Sequence, residues 1–231
     1  QKYEDYKFQL IEVINADSLQ NHEVENSVDD PFIKAADLFG YSLAISQDLV
    51  SKQTFIFVSS PNKDTGIINV GAVYVFSSTN QTTFNKFYNL TQLILPPIVT
   101  VNEQFGTKIK VVDNVLVIAA IGGSSLLSNT FDSYSKRLHP YSLDANKYIL
   151  DNSSLERTST TFDNNSTNFY GKTSYTGAVY IYNKFDKNFI YGDRLRPTTD
   201  LEKQDNFGYS ISVTDSTIAV GTPHRSNQKG T

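Results

Sequence analysis

Three histidines and a Gly-Gly-Ser-Ser run are the features of this sequence whose residue types could support metal or hydrolytic chemistry. His22, His139 and His224 lack the H-x-H or H-E-x-x-H spacing of metal ligands. The run that begins at Gly122 lacks the G-x-S-x-G pattern of a nucleophile elbow, which also needs a strand-to-helix turn and a partner histidine. Because the chain has no Cys, thiol catalysis and disulfides are excluded. The sequence therefore predicts no catalytic residue, no cofactor and no metal site.

The composition limits the classes of partner that this chain can bind. Of its 231 residues, 19% are charged, and the net charge is -4. Small basic clusters such as Lys136-Arg137 are typical of solvated loops, so we expect no nucleic-acid partner. The most apolar stretch, Ile109 to Ile121, is interrupted by Lys110 and Asp113 and is shorter than the ~20 residues of a membrane-spanning helix. We therefore expect no membrane insertion in this segment.

Asn-x-Ser/Thr sequences permit N-glycosylation at several points in the chain. A chain this rich in Asn, Ser and Thr contains a similar number by chance, so they are compatible with an extracellular or cell-surface location without requiring it. The candidate acceptors are Asn80, Asn89, Asn152, Asn164 and Asn165.

An internal repeat is the strongest signal in the sequence. Three segments align: DLFGYSLAIS from Asp37, EQFGTKIKVVDNVLVIAAIG from Glu103 and DNFGYSISVTDSTIAVGTP from Asp205. The first two are followed by a further matching segment, GAVYVF from Gly71 and GAVYIY from Gly177. From each Gly-Ala-Val-Tyr segment to the next Phe-Gly the spacing is similar, and the excess length of the second repeat lies in one insertion.

Strand patterns account for each part of the repeat. Tyr209, Ile211 and Val213 alternate with small polar residues, as on a strand with one buried face. Asp113-Asn114 and Asp215-Ser216 are placed as two-residue hairpin turns. The segments from Phe84 and from Phe185 are expected to form outer strands. Four strands per repeat, without a convincing amphipathic helix, predict an all-β fold of four-stranded antiparallel blades from a β-propeller.

These motifs resemble FG-GAP repeats, the blades of the seven-bladed propeller at the head of integrin α subunits. The resemblance covers Asp37 to Thr231 apart from the insertion, and Pro61 and Pro223 match the Pro of the motif, whereas Ile121-Gly122-Gly123 departs from it. It implies a partial propeller, about three repeats of a larger one. The expected divisions are an outer strand and linker at 1–36, a blade at 37–104, a blade with the insertion at 105–206, and the start of a further blade at 207–231.

Many blades of this family carry a calcium loop of the form D-x-D-x-D-G between their first two strands. Calcium takes six to eight oxygen ligands, so several carboxylates must converge on one loop. Here the corresponding turns are Asp113-Asn114 and Asp215-Ser216, which are too short, and Ser46 to Thr54, in which Asp48 is the only carboxylate. We therefore expect no calcium in these turns.

The insertion, from about 124 to 176, is the most individual part of the chain. It is rich in Ser, Asn and Thr, and two hypotheses remain open: a loop without a ligand, or a binding loop displayed from a rigid scaffold. Its aromatic residues are too many for a purely solvated loop and indicate that part of the insertion packs on another surface. The candidate interaction residues are Tyr134, Tyr141, Tyr148, Phe162, Phe169 and Tyr170.

The resemblance favours a non-catalytic surface module for protein interaction or adhesion. Two alternatives remain: a structural subunit of a large assembly such as a virion or appendage, and an accessory propeller of a secreted enzyme such as a phospholipase. The expected partners are other protein chains or the remainder of its own propeller. The chain contains no Met, so Gln1 is not a translation start, and we expect further repeats or another chain to complete the blades.

Overall fold

The computed structural model describes residues 13–14, 33–34, 36–48, 51–65, 68–78, 88–97, 102–123, 141–142, 176–195, 205–224 and 230. Within these ranges the regular structure is entirely β, and no helix is long and apolar enough to cross a bilayer. The strands are β1 Leu43–Gln47, β2 Thr54–Ser60, β3 Ala72–Ser78, β4 Tyr88–Ile94, β5 Phe105–Val112, β6 Val115–Ala120, β7 Tyr141–Ser142, β8 Ala178–Phe185, β9 Asn188–Leu195, β10 Ser210–Val213 and β11 Ile218–Gly221.

The strands form three sheets in which all neighbours are antiparallel. Sheet A has the order β1-β2-β3-β4-β7, sheet B has the order β5-β6-β8-β9, and sheet C consists of β10 and β11. The prediction of an all-β fold built from four-stranded antiparallel sheets is thereby confirmed. Sheet A differs from the prediction by one strand, because β7, from within the insertion, pairs with β4.

Sheets A and B repeat the same local irregularity. The pairing of β3 with β4 shifts register between Val75 and Phe76, and the pairing of β8 with β9 shifts between Ile181 and Tyr182. Both shifts fall at the same position after the Gly-Ala-Val-Tyr motif, where a bulge bends the outer strand and increases its twist. The repeat seen in the sequence is therefore also a repeat in backbone geometry.

Burial along the strands follows from their place in the stack of sheets. On β5, Lys108 and Lys110 are exposed while Ile109 between them is buried, as expected for a strand with one covered face. By contrast, all seven residues of β3 are buried, because this strand is covered on both faces. Val, Phe and Tyr fill β3, and such side chains suit a pleated surface packed on both sides.

The hairpin turns carry the residues that a left-handed backbone favours. Val112 pairs with Val115, so Asp113-Asn114 forms the predicted two-residue turn, with Asp113 at φ 50°. Asp215-Ser216 lies inside a turn closed by the Thr214 N–H, which donates to the Thr217 carbonyl at 2.8 Å. The sequence did not reveal a third turn, at 186–187. Phe185 ends β8 instead of opening the outer strand, which begins at Asn188.

Three apolar clusters lie on the sheet faces. One joins sheet A to sheet B and contains Phe55, Phe57, Val73, Val75, Ile94, Phe105, Ile109, Leu116, Ile118, Ala120, Ala178, Tyr180, Tyr182 and Phe189. A second joins sheet B to sheet C through Val117, Ala119, Val179 and Ile211. A third, with Val58, Tyr74 and Phe76, lies on the face of sheet A that is turned away from sheet B. The first strand of sheet B, β5, contacts both β1 and β10, so the first strands of the three sheets are neighbours.

Candidate interaction surfaces

In sheets A and B, the phenylalanine of the Phe-Gly motif packs on the third strand of its own sheet. The Phe105 ring stands edge-on to Tyr180 at 5.4 Å between ring centroids. In sheet A, Phe39 makes the same edge-on contact with Tyr74, also at 5.4 Å. Edge-to-face geometry at this distance is favourable for aromatic pairs. The Phe-Gly and Gly-Ala-Val-Tyr motifs are therefore two halves of one packing unit.

The glycine of the Phe-Gly motif lets two sheets approach each other. Gly106 of sheet B has φ +96°, and a Cβ there would lie 2.8 Å from the Cβ of Ser59 in sheet A. Gly208 of sheet C repeats this contact, because its Cβ would lie 3.0 Å from the Cβ of Ala119 in sheet B. A small residue in one sheet thus receives the glycine of the next. We call this contact the glycine seat.

A backbone hydrogen bond beside each glycine seat joins the same two sheets. The Phe105 N–H donates to the Val70 carbonyl at 2.9 Å, and the Phe207 N–H donates to the Thr176 carbonyl at 2.8 Å. Val70 and Thr176 each precede the glycine of a Gly-Ala-Val-Tyr motif. The A–B and B–C contacts are therefore made by equivalent atoms of successive repeats.

A buried glutamine joins the outer strands of sheets A and B. The side-chain amide of Gln92, on β4, donates to the Phe189 carbonyl at 2.9 Å, and its oxygen accepts the Phe189 N–H at 2.9 Å. The side chain of Gln92 is fully buried, and the Phe189 ring packs edge-on against Phe57 at 4.9 Å. Buried polar groups are costly unless they are paired. The two hydrogen bonds between Gln92 and Phe189 therefore fix the position of β9 relative to β4.

An ion pair joins the same two sheets at the end where β1 finishes. The Lys184 ammonium contacts the Asp48 carboxylate and lies 4.7 Å from the centre of the Phe55 ring. Asp48 also accepts the Ser51 N–H at 3.1 Å. The one carboxylate of the longer first-to-second strand connection is thus engaged by protein groups. Among the described residues, no group of three His, Asp or Glu side chains is placed to hold a metal ion.

A buried acid–tyrosine pair lies where sheet B meets sheet A. The Tyr180 hydroxyl donates to the Glu103 carboxylate at 2.6 Å, and both residues are fully buried. Burial, and then the charge of Glu103, raise the pKa of Tyr180 well above its ordinary value. The hydroxyl is therefore a permanent hydrogen-bond donor at neutral pH. This pair holds Glu103, next to the Phe-Gly motif, against the third strand.

The structure describes one of the six predicted interaction residues. The backbone of Tyr141 pairs with Leu93, and that of Ser142 pairs with Gln92, so this part of the insertion lies at the outer edge of sheet A. Among the candidate glycosylation sites, Asn89 is described and is exposed on β4. The remaining residues lie outside the described ranges: Tyr134, Tyr148, Phe162, Phe169, Tyr170, Asn80, Asn152, Asn164 and Asn165.

One face of sheet A presents apolar side chains to solvent. Leu43 and Ile45 on β1 are 61% and 66% exposed, on the side turned away from sheet B. Ile14 and Ile33 pack on the same face against the Tyr74 cluster. We call this the leading face. The opposite side of a sheet, which receives the next sheet, is the trailing face.

Comparison with models of known protein families gave no match, and comparison with curated protein sequences gave no significant relative. The FG-GAP resemblance therefore stays a prediction from the motifs. The geometry defines an all-β protein whose buried polar groups and glycines serve to stack sheets, and whose insertion reaches an outer sheet edge. Local sequence patterns found the glycines but missed the buried polar links, since their partners lie far apart in the chain.

Proposed function

We propose that this chain is part of a β-propeller that acts as a protein-interaction or adhesion module outside the cell. The observation that carries the architecture is the repeated glycine seat with its backbone hydrogen bond. Because sheet A contacts sheet B in the same way that sheet B contacts sheet C, each sheet is rotated by the same angle relative to the one before it. Sheets related by a constant rotation are arranged around an axis. The first strands β1, β5 and β10 are neighbours, as the inner strands of propeller blades are.

The way the insertion is held supports a role in binding. Its two ends meet at the top of sheet B, where the Gly177 N–H donates to the Gly123 carbonyl at 3.1 Å and the Thr176 hydroxyl donates to the same oxygen at 3.3 Å. Between these ends, β7 pairs with β4 of sheet A. A segment with fixed ends, displayed from stacked sheets, is a common arrangement for recognition because the scaffold positions the loop. The aromatic residues of the insertion then supply the contact area.

The exposed sequon supports a location outside the cell. Asn89 is exposed on the outer strand of sheet A, and the hydroxyl of Thr91, which completes the sequon, donates to the Val75 carbonyl at 3.1 Å. An acceptor Asn must be accessible to carry a glycan. Mass spectrometry of the protein secreted from a eukaryotic host would show whether this site is occupied.

The proposal is tested by separating the scaffold from the insertion. In one variant, residues 124–175 are replaced by a short Gly-Ser linker, since their flanking residues Gly123 and Thr176 lie close together. Wild type and variant are screened against a displayed library of extracellular domains. We expect the variant to melt cooperatively and to lose every specific partner of the wild type. Partners that bind both proteins equally would contradict a binding role for the insertion.

A further inference from the structure

The insertion occupies the same place in sheet B as a short connection does in sheet A. In sheet A, the Gly71 N–H donates to the Lys63 carbonyl at 2.9 Å and closes the connection between the second and third strands. In sheet B, the Gly177 N–H donates to the Gly123 carbonyl at 3.1 Å, with residues 124–176 between them. The insertion is therefore an enlarged form of this connection, and Gly123 is the counterpart of Lys63.

A second hydrogen bond matches the residue before each of these two. The Asn62 N–H donates to the Asp37 carbonyl at 3.2 Å, and the Gly122 N–H donates to the Glu103 carbonyl at 3.1 Å. Asp37 and Glu103 are the acidic residues that lie two places before the phenylalanine of each Phe-Gly motif. Where the insertion leaves sheet B, two glycines therefore replace an Asn-Lys pair, and Glu replaces Asp.

The partner of the acidic side chain differs between the two sheets. In sheet A, the Lys63 ammonium lies 4.0 Å from the Asp37 carboxylate, and both side chains are buried. In sheet B, the Glu103 carboxylate accepts the Tyr180 hydroxyl, and a Cβ built on Gly123 would lie 3.0 Å from Glu103 Oε1. The longer acid thus reaches the space in which a side chain of residue 123 would begin, so a side chain there displaces the carboxylate.

Gly122 brings the start of the insertion against the connection between sheets A and B. A Cβ built on Gly122 would overlap the Asn102 carbonyl oxygen. Asn102 is held to sheet A, because its N–H donates to the Ile68 carbonyl at 2.9 Å and its side-chain oxygen accepts the Asn69 amide at 2.8 Å. Neither Gly122 nor Gly123 has a positive φ, so close contact, and not backbone conformation, requires these glycines.

We propose that Glu103, Gly122 and Gly123 direct the insertion toward sheet A, where Tyr141 pairs with Leu93. We call these three residues the mount. Gly122 lets the chain touch the connection that is bonded to sheet A, and Gly123 leaves room for the Glu103 carboxylate beside it. The mount then sets the position of the binding surface on the insertion, a consequence that rests on the proposed function, whereas the direction of the insertion does not.

A disulfide between sheet A and the insertion measures this direction without any binding partner. The chain has no Cys, so two introduced thiols can form only one intramolecular crosslink. Leu93→Cys and Tyr141→Cys place the thiols on directly paired residues of antiparallel strands, at a backbone distance that a disulfide can span. The rate of crosslinking of this double-Cys protein, with the mount intact, is the reference.

Changes in the mount should slow the crosslinking. Gly122→Ala should slow it at least about fivefold, because a methyl group forced against backbone displaces the chain. Gly123→Ala should also slow it, and adding Glu103→Asp should restore part of the rate, because the shorter acid withdraws from residue 123. The control is Gly192→Ala in sheet B, whose methyl group would meet only the mobile end of the Asn183 side chain within 3 Å. It should leave the rate unchanged.

Thermal melting followed by circular dichroism shows that each variant is folded, so that slower crosslinking reports the position of the insertion. If Gly122→Ala lacks a cooperative transition, Gly123→Ala with and without Glu103→Asp decides the inference. Two outcomes would overturn it: no crosslink in the reference protein, or equal rates in the reference and the folded mount variants. A library screen that finds no insertion-dependent partner would contradict the proposed function, while the crosslinking rates still decide the inference.

Discussion

Substituting Ala for the Phe-Gly glycines separates sheet packing from backbone conformation within one chain. Gly40 and Gly106 have φ of +89° and +96°, so Ala strains the backbone similarly at both positions. They differ in what the new methyl group meets. At Gly106 it would lie 2.8 Å from the Ser59 Cβ and 3.2 Å from the Ala72 carbonyl oxygen, whereas at Gly40 no described atom lies within 4 Å.

The expected losses of stability follow from these contacts. A left-handed backbone at a non-glycine residue costs about 1–2 kcal/mol, and both variants lose this amount. Gly106→Ala loses about 1–3 kcal/mol more, because a methyl group forced into a packed contact shifts its neighbours. Since one of those neighbours is backbone, rotation of a side chain cannot relieve the contact.

Urea unfolding followed by circular dichroism measures both losses. Equal losses of stability in the two variants would refute the idea that Gly106 is required by the contact between sheets. A Ser59→Gly change in the Gly106→Ala background should recover part of the extra loss, because it removes the nearest atom.

Further predictions concern the buried links, pH and metal. Gln92→Leu should lower the free energy of unfolding, measured in urea, by about 2–4 kcal/mol, because it leaves the N–H and the carbonyl of Phe189 buried without their partner. The control is Gln47→Leu on the exposed side of β1, which should change the free energy of unfolding by less than about 0.5 kcal/mol. Burial raises the pKa of Tyr180 and of Tyr182 well above the ordinary value. As the pH rises, the unfolded chain therefore loses the two hydroxyl protons before the folded chain does. The free energy of unfolding should be constant up to about pH 10 and fall above it. A free energy of unfolding that stays constant to about pH 11 would contradict this. Chelator should leave the melting temperature unchanged, since the hairpin turns lack converging carboxylates, and a drop of several degrees would count against this.

The strands were predictable because their signals are local. Alternation along residues 209–213, the Asp113-Asn114 turn and the recurring motifs each depend on neighbours in sequence, so the all-β fold and its four-stranded antiparallel sheets followed from the sequence. A glycine that recurs after each Phe of the motif is typical of tight packing or an unusual backbone angle. Gly106 shows both, with φ +96° and a close approach to Ser59.

The links between sheets were not predictable, because their partners are distant in sequence. Gln92 lies on a strand whose pattern gives no sign that its side chain bonds the backbone of Phe189 in another sheet. The pairing of Lys184 with Asp48 and the addition of β7 to sheet A likewise depend on how the sheets stack. A charged or polar residue on a strand is usually solvated, so sequence patterns assign such residues to the surface.

Amide hydrogen exchange at the junctions between sheets tests the central claim that successive repeats are joined by the same contact. The Phe105 and Phe207 N–H groups donate to carbonyls of the preceding sheet, beside the two glycine seats. The account predicts that both amides exchange as slowly as those inside β6, which is buried between its neighbours. Exchange of both amides at the rate of exposed turns, with β6 still protected, would show that the sheets are not joined in this way.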